Sequence, residues 1–290
     1  MTPQQSAVPP TGSPEGADPA AYIAVLPGVA DAVERARRAV DDLRGHRVMR
    51  RSADRVAAES ALRGARASAA LAGADVPLET LRGALTPPPD ADGGSPSTTD
   101  GGSFLITDGE RLADVDAGVV QGALRVAAEI GLLRNAWPKA PLQVVARLHT
   151  LAAAGSVPDE SLGRPVPAAA TRLGGLGQLL TAPTAAPALV AAAVAHGELA
   201  TMGAFPVGAG IVGRAAGRLT MVGRGLDPTA VSVPEVGHVE LGIDAYLDAL
   251  DGYRKGGADG IAAWVVHCAD AVVLGAREGV AVCESIQRGA

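Results

Sequence analysis

Apolar residues recur along this chain at three- and four-residue spacings, and no segment sustains the period-two alternation of a half-buried strand. From Tyr22 a helical pattern begins, is broken at Pro27 and Gly28, and resumes near Val29. The run from Ser52 to Ala72 predicts a long helix that Gly73 would cap. VPLETLRGAL predicts a short helix with Pro77 near its first turn. Further helices are predicted over Asp114–Leu133, Pro141–Ala154, Thr171–Leu180, Asp244–Tyr253 and Gly260–Gln287. The Ala-rich stretch Pro187–Ala195 reads as a buried helix, and Arg214-AAGRLTMVGRGL as a second helix reaching Gly225. Val231–Val236 reads as a short strand or extended loop. The pattern predicts an all-α protein of about ten helices.

Composition sharpens this picture. Hydrophobic residues make up 48% of the chain but only seven residues are aromatic, so Ala, Leu and Val must build the core. Alanine favours helices and fills sheet layers poorly, which points to close-packed helices. Residues 1–20 are rich in Pro, Gly, Ser and Thr and read as a disordered tail. TPPPDADGGSPSTTDGGS lies in a flexible stretch, 86–113, whose flanks share one helical character; it reads as a Pro/Gly-rich insertion loop. The expected organisation is the tail, N-terminal helices over 21–85, the 86–113 loop, and a helical core over 114–290.

Net charge is −6, and no basic run interleaves with aromatics, which argues against nucleic acid as a partner. No charged segment followed by an apolar one marks a signal peptide at the N-terminus. The longest apolar run, Ala182–Ala195, holds two prolines and is short for a membrane span. A cytoplasmic protein without membrane partners is therefore expected. Lys139 and Lys255 are the only lysines; this Arg bias fits a GC-rich bacterial genome. Cys268 and Cys283 sit in apolar helical runs and read as buried thiols rather than a disulfide or metal pair.

The chain centres on HGELATMGAFPVGAGIVGR, from His196 to Arg214: a helix, a glycine loop and the start of another helix. Unpaired N–H groups at such a start, together with the helix dipole, can cradle a phosphate. This stretch resembles the signature of the Fic/Fido family, H-P-F-x-D/E-G-N-G-R-x-x-R following A-H-x-x-F. Ala195-His196 opens it, and Phe205, Gly208, Gly210 and Arg214 match. Gly203 stands for the family's His, Ala204 for Pro, Val207 for the acid, Ala209 for Asn and Ile211 for the first Arg. Arg147-Leu148-His149 resembles a preceding helix of the family, and Tyr246 with Trp264 resembles its later aromatic pattern. Ser68, Ala72 and Gly73 resemble its S/T-x-x-x-E-G inhibitory helix with Ala72 in place of Glu. The resemblance spans roughly Arg51 to Ile286 and implies an all-α core that ordinarily moves AMP from ATP to a protein hydroxyl.

It also implies what has been lost. The family's His is the general base, its acid holds Mg²⁺, and its Asn and first Arg hold phosphate oxygens. Glycine, valine, alanine and isoleucine can do none of this. No catalytic residue, metal ligand or cofactor is therefore expected. Gly208, Gly210, Gly213 and Arg214 remain as an anion cradle for weak ATP or ADP binding, and the implied role is protein interaction or regulation. A rival reading keeps transferase activity with His196 as base; that residue lies seven positions before Gly203 and should be buried away from the loop.

Gly208, Gly210 and Gly213 also spell G-x-G-x-x-G, with Asp227 where a ribose-binding acid could fall. The alternative function is thus an NAD(P)-dependent oxidoreductase, which requires a hydrophobic strand before Gly208 and a parallel sheet. His149, His196 and His267 lie on apolar helical runs and read as core histidines. His238, beside Glu235 and Glu240, has a hint of metal-ligand character but reads as part of a solvated loop. Ser60 and Ser68 lack triad partners, while Glu59, Arg63 and Arg66 read as helix-surface pairs.

Overall fold

The computed structural model describes residues 18–85 and 114–289. Twelve α-helices and no strand occur among the described residues. They are α1 (Pro19–Ala24), α2 (Val29–Gly45), α3 (Met49–Ala70), α4 (Leu78–Leu85), α5 (Asp114–Leu133), α6 (Pro141–Ala153), α7 (Ala170–Thr181), α8 (Ala188–Thr201), α9 (Ala209–Gly223), α10 (Pro234–Leu241), α11 (Ile243–Lys255) and α12 (Ala258–Arg288). The all-α class holds. Most of the tail and all of the 86–113 loop lie outside the described residues. The expected tail ends too late, however. Asp18 caps α1 through Ala21 N–H at 3.0 Å, and its carboxylate also takes the Thr184 hydroxyl and the Ala185 N–H, tying α1 to the turn before α8.

Helix α8 is the centre. Residues Leu189 to Gly197 are all buried, so it is apolar on every side, as a helix enclosed by others must be. Helices α9, α11 and α12 pack around it. One apolar cluster fills the space between α3, α5, α6, α7, α8 and α9, including Val120, Leu148, Leu199, Ile211 and Leu219. A second joins α2, α8 and α12 through Val40, Leu43, Leu189, Val272 and Val282. A third gathers Val29, Val190, Tyr246, Trp264 and Val265. With so few aromatics, glycine and alanine let helices approach closely. A Cβ at Gly213 would lie 2.9 Å from the His196 carbonyl oxygen, so α8 and α9 touch there backbone to backbone.

Two elements depart from the expected pattern. Helix α9 begins at Ala209, five residues before Arg214, because Gly208 adopts a left-handed φ of 76° and turns the chain directly into the helix. The stretch read as strand or loop at 231–236 instead enters α10 at Pro234; only Val231–Val233 precede it, and Val233 N–H bonds the Gly275 carbonyl at 3.0 Å. Gly73 does end the third helix region, with φ 96° and a bond from Ala74 N–H to the Ala69 carbonyl. Arg63 pairs with Glu59 at 2.7 Å and also with Glu278 of α12, whereas Arg66 pairs with Asp75. Among the described residues one helix, α12, is long and apolar enough to cross a membrane; its Trp264, Val265, Ala269, Val272, Ala276 and Cys283 lie in the protein core.

Candidate functional site

The glycine loop runs from Met202 to Gly208 between α8 and α9. Gly203, with φ 67°, is exposed, and a Cβ built there meets no neighbouring atom within 4 Å. The position where the resemblance puts a general base therefore lies open but carries no side chain. Pro206 and Val207 are exposed as well. Ala204 and Phe205 turn inward, and Phe205 stacks on His149 of α6 with ring centroids 4.0 Å apart. His149 Nδ1 accepts the Gly163 N–H at 2.9 Å, while its Nε2 has no hydrogen-bond partner among the described residues. Burial lowers its pKa, an effect that the Val207 backbone beside it partly offsets. The segment before α7 crosses this loop, and Val166 N–H bonds the Ala204 carbonyl at 2.9 Å.

At the start of α9, Val212 N–H makes the first helical bond, to the Gly208 carbonyl at 3.0 Å. Residues 208 to 210 are half-buried, so the first-turn N–H groups stand close to solvent at the end of a 15-residue helix. Ala209 presents only a methyl group there, and Ile211 is buried in the first apolar cluster.

Arg214 departs from expectation. The sequence places it at the start of a helix, as part of an anion cradle. It lies instead in the second turn of α9 and is only 4% exposed. Its Nε donates to Ser68 Oγ at 2.9 Å, one terminal nitrogen to the Ser68 carbonyl at 2.8 Å, and the other to the Tyr246 hydroxyl at 3.2 Å. The guanidinium thus clamps the end of α3 to α9 and α11. It also passes under the first turn, since a Cβ at Gly210 would sit 3.1 Å from one of its terminal nitrogens. Ser68 and Arg214, from two separate segments of the resemblance, are brought together. Ala72 is exposed past the end of α3.

The three glycines of G-x-G-x-x-G each have a packing reason. Gly208 turns the chain, Gly210 leaves room for the guanidinium, and Gly213 admits the α8 backbone. No strand precedes Gly208 and no sheet exists among the described residues, so the dinucleotide reading fails. Asp227 is 1% exposed and accepts the Val231 and Ser232 N–H groups and the Ser232 hydroxyl, holding the turn before α10.

Deeper in, His196 is 4% exposed and shares a hydrogen bond with the Tyr246 hydroxyl at 3.0 Å. It is buried beneath the loop, as its distance along α8 implies. His238 corrects the loop reading: it lies in α10, is 3% exposed, and shares a 3.1 Å hydrogen bond with His267. Burial, reinforced by Arg214, holds both His196 and His238 well below the ordinary histidine pKa, so both imidazoles are neutral.

No family model matches the chain, and no curated protein does. Among solved structures it is similar to a Fic family protein from Desulfovibrio desulfuricans, with 18% identity, a TM-score of 0.64, and coverage of 89% of this chain and 75% of that chain. The chain has the Fic fold. At this identity the likeness concerns the path of the backbone. The Fic fold here retains its central helix–loop–helix while carrying Gly203, Val207, Ala209 and Ile211 along the loop and helix start. What sequence reasoning missed is the inward turn of Arg214. The extra helical turn from Ala209 decides it, and no sequence signal marked that turn, because Gly208-Ala-Gly210 reads as loop by propensity.

Proposed function

We propose that this Fic-fold chain does not transfer AMP and acts through protein interaction or regulation, binding ATP or ADP at most weakly. The observation that carries this reading is the chemistry along the exposed loop. Position 203 offers no base and position 207 no oxygen for a metal, while 209 and 211 offer no phosphate ligand. The one matching basic residue, Arg214, is already engaged by Ser68 and Tyr246. The free backbone N–H groups of the first turn of α9, from Gly208 to Gly210, supply the remaining attraction for an anion, while Gly213 lies beyond that turn against α8. Weak binding follows from their geometry without any recruited side chain. A cytoplasmic location belongs to the same reading.

Calorimetry with ATP, ADP and NAD tests it. The expected result is no binding tighter than about millimolar for any of the three, corresponding to roughly 4 kcal/mol. Micromolar binding of ATP with Mg²⁺ would contradict the reading, because it would require ligands that these positions do not provide.

A further inference from the structure

Beneath the glycine loop, α8, α9, α10 and α12 enclose a small cavity of about 30 Å³. That is room for an ion or a water molecule and too little for an organic ligand. His196 of α8, His238 of α10 and Cys268 of α12 line it, and their candidate ligand atoms all lie within 4.8 Å of one another. All three residues are buried. Each histidine has one ring nitrogen in a hydrogen bond: Nε2 of His196 with Tyr246, and Nδ1 of His238 with His267. Such partners fix the orientation of a metal-binding imidazole and leave its other nitrogen for the ion. Glu235 also lines the cavity; it is 5% exposed, and its Oε2 makes no hydrogen bond among the described residues but faces the Arg218 guanidinium in an ion pair at 3.6 Å.

We propose that this cavity is a copper(I) site, ligated by His196, His238 and the thiolate of Cys268. Two neutral imidazoles and a thiolate form a donor set that suits soft or borderline late transition metals. Charge then selects among them. Arg214 and Arg218 also line the cavity, against the single carboxylate of Glu235. On binding, the Cys268 thiol releases its proton to solvent and a copper–sulfur bond forms, with no electron transferred. A monovalent ion in exchange for that proton leaves the charge of the cavity unchanged. A divalent ion adds one positive charge beside two guanidinium groups in a buried place, which is costly. Hard cations, which prefer oxygen donors, fit neither the ligands nor the charge.

The site's separation from the glycine loop makes its test independent of the proposed function. Full-length protein, both native and refolded with the ion, is incubated anaerobically with copper(I) and in parallel with zinc(II), then desalted in the presence of a competing chelator. The expected result is one copper per chain, with X-ray absorption reporting one sulfur and two nitrogen neighbours. Cys268→Ser and His238→Gln should each lose the ion, whereas Cys283→Ser should retain it. Circular dichroism of each metal-free variant verifies that loss of copper is not loss of fold; if a variant unfolds, the wild-type absorption spectrum decides. Failure of both native and refolded protein to retain copper, retention of zinc in its place, or a coordination sphere lacking sulfur overturns the proposal.

Discussion

Arg214 matches a position of the signature and is held in the interior of the fold. Its guanidinium is buried and hydrogen-bonded to Ser68 and Tyr246. Arg214→Ala would strand these groups and leave a void at the junction of α3, α9 and α11. We expect a loss of roughly 2–4 kcal/mol in unfolding free energy, read from urea denaturation. Arg214→Lys, which keeps charge but not the planar fork, should fall between. An alanine variant as stable as the parent would mean the clamp carries no net stability. The buried histidines make a second expectation. Stability rises with pH wherever the unfolded chain binds more protons, and His196 and His238 have folded pKa values well below the ordinary histidine range. Their contribution is complete above about pH 6.5 and drains away as pH falls below it. The denaturation midpoint should therefore drop between about pH 7 and pH 5, and His238→Gln should flatten part of that drop. A midpoint that is flat in the parent protein over this range would contradict the burial of neutral imidazoles. The sequence made His196 legible as a core residue through its apolar neighbours, but not His238, whose flanking Glu235 and Glu240 disguised a buried helix as a polar loop.

At the scale of elements, much was legible because helical periodicity is local. The run 114–133 is α5, and the 141–154, 171–180 and 260–287 segments fall within a residue or two of α6, α7 and α12. The start of α9 was not legible, since Gly208-Ala-Gly210 reads as loop by propensity, while in the fold Gly208 turns the chain beside Ala152 and Gly210 lies over the Arg214 guanidinium as the first helical turn. The same close approach recurs between α10 and α12. Gly237 faces Ala271, and Gly275 faces Val233 and Pro234, so closely that an added Cβ at either would overlap backbone atoms. Gly237→Ala should therefore destabilise by about 1–3 kcal/mol despite the better helix propensity of alanine, measurable by thermal or urea unfolding. A stabilised variant would mean that α10 and α12 stand further apart.

The whole molecule has the Fic fold, and its central loop and helix start carry Gly203, Val207, Ala209 and Ile211. Core clusters bind α2 and α3 to the later helices, so the central α8–loop–α9 unit is held rigidly with its loop facing outward. The class was legible from alanine-rich periodicity, whereas the fate of the site depended on which way individual side chains point. The central claim is that this loop cannot move AMP. Intact mass measurement of the full-length protein, alone and with cell lysate, after incubation with ATP and Mg²⁺ tests it most directly. The account predicts no adduct of one AMP on the protein and no ATP-dependent labelling of lysate proteins above a heat-inactivated control. An AMP adduct that forms with the native sequence and disappears on heat inactivation would contradict it.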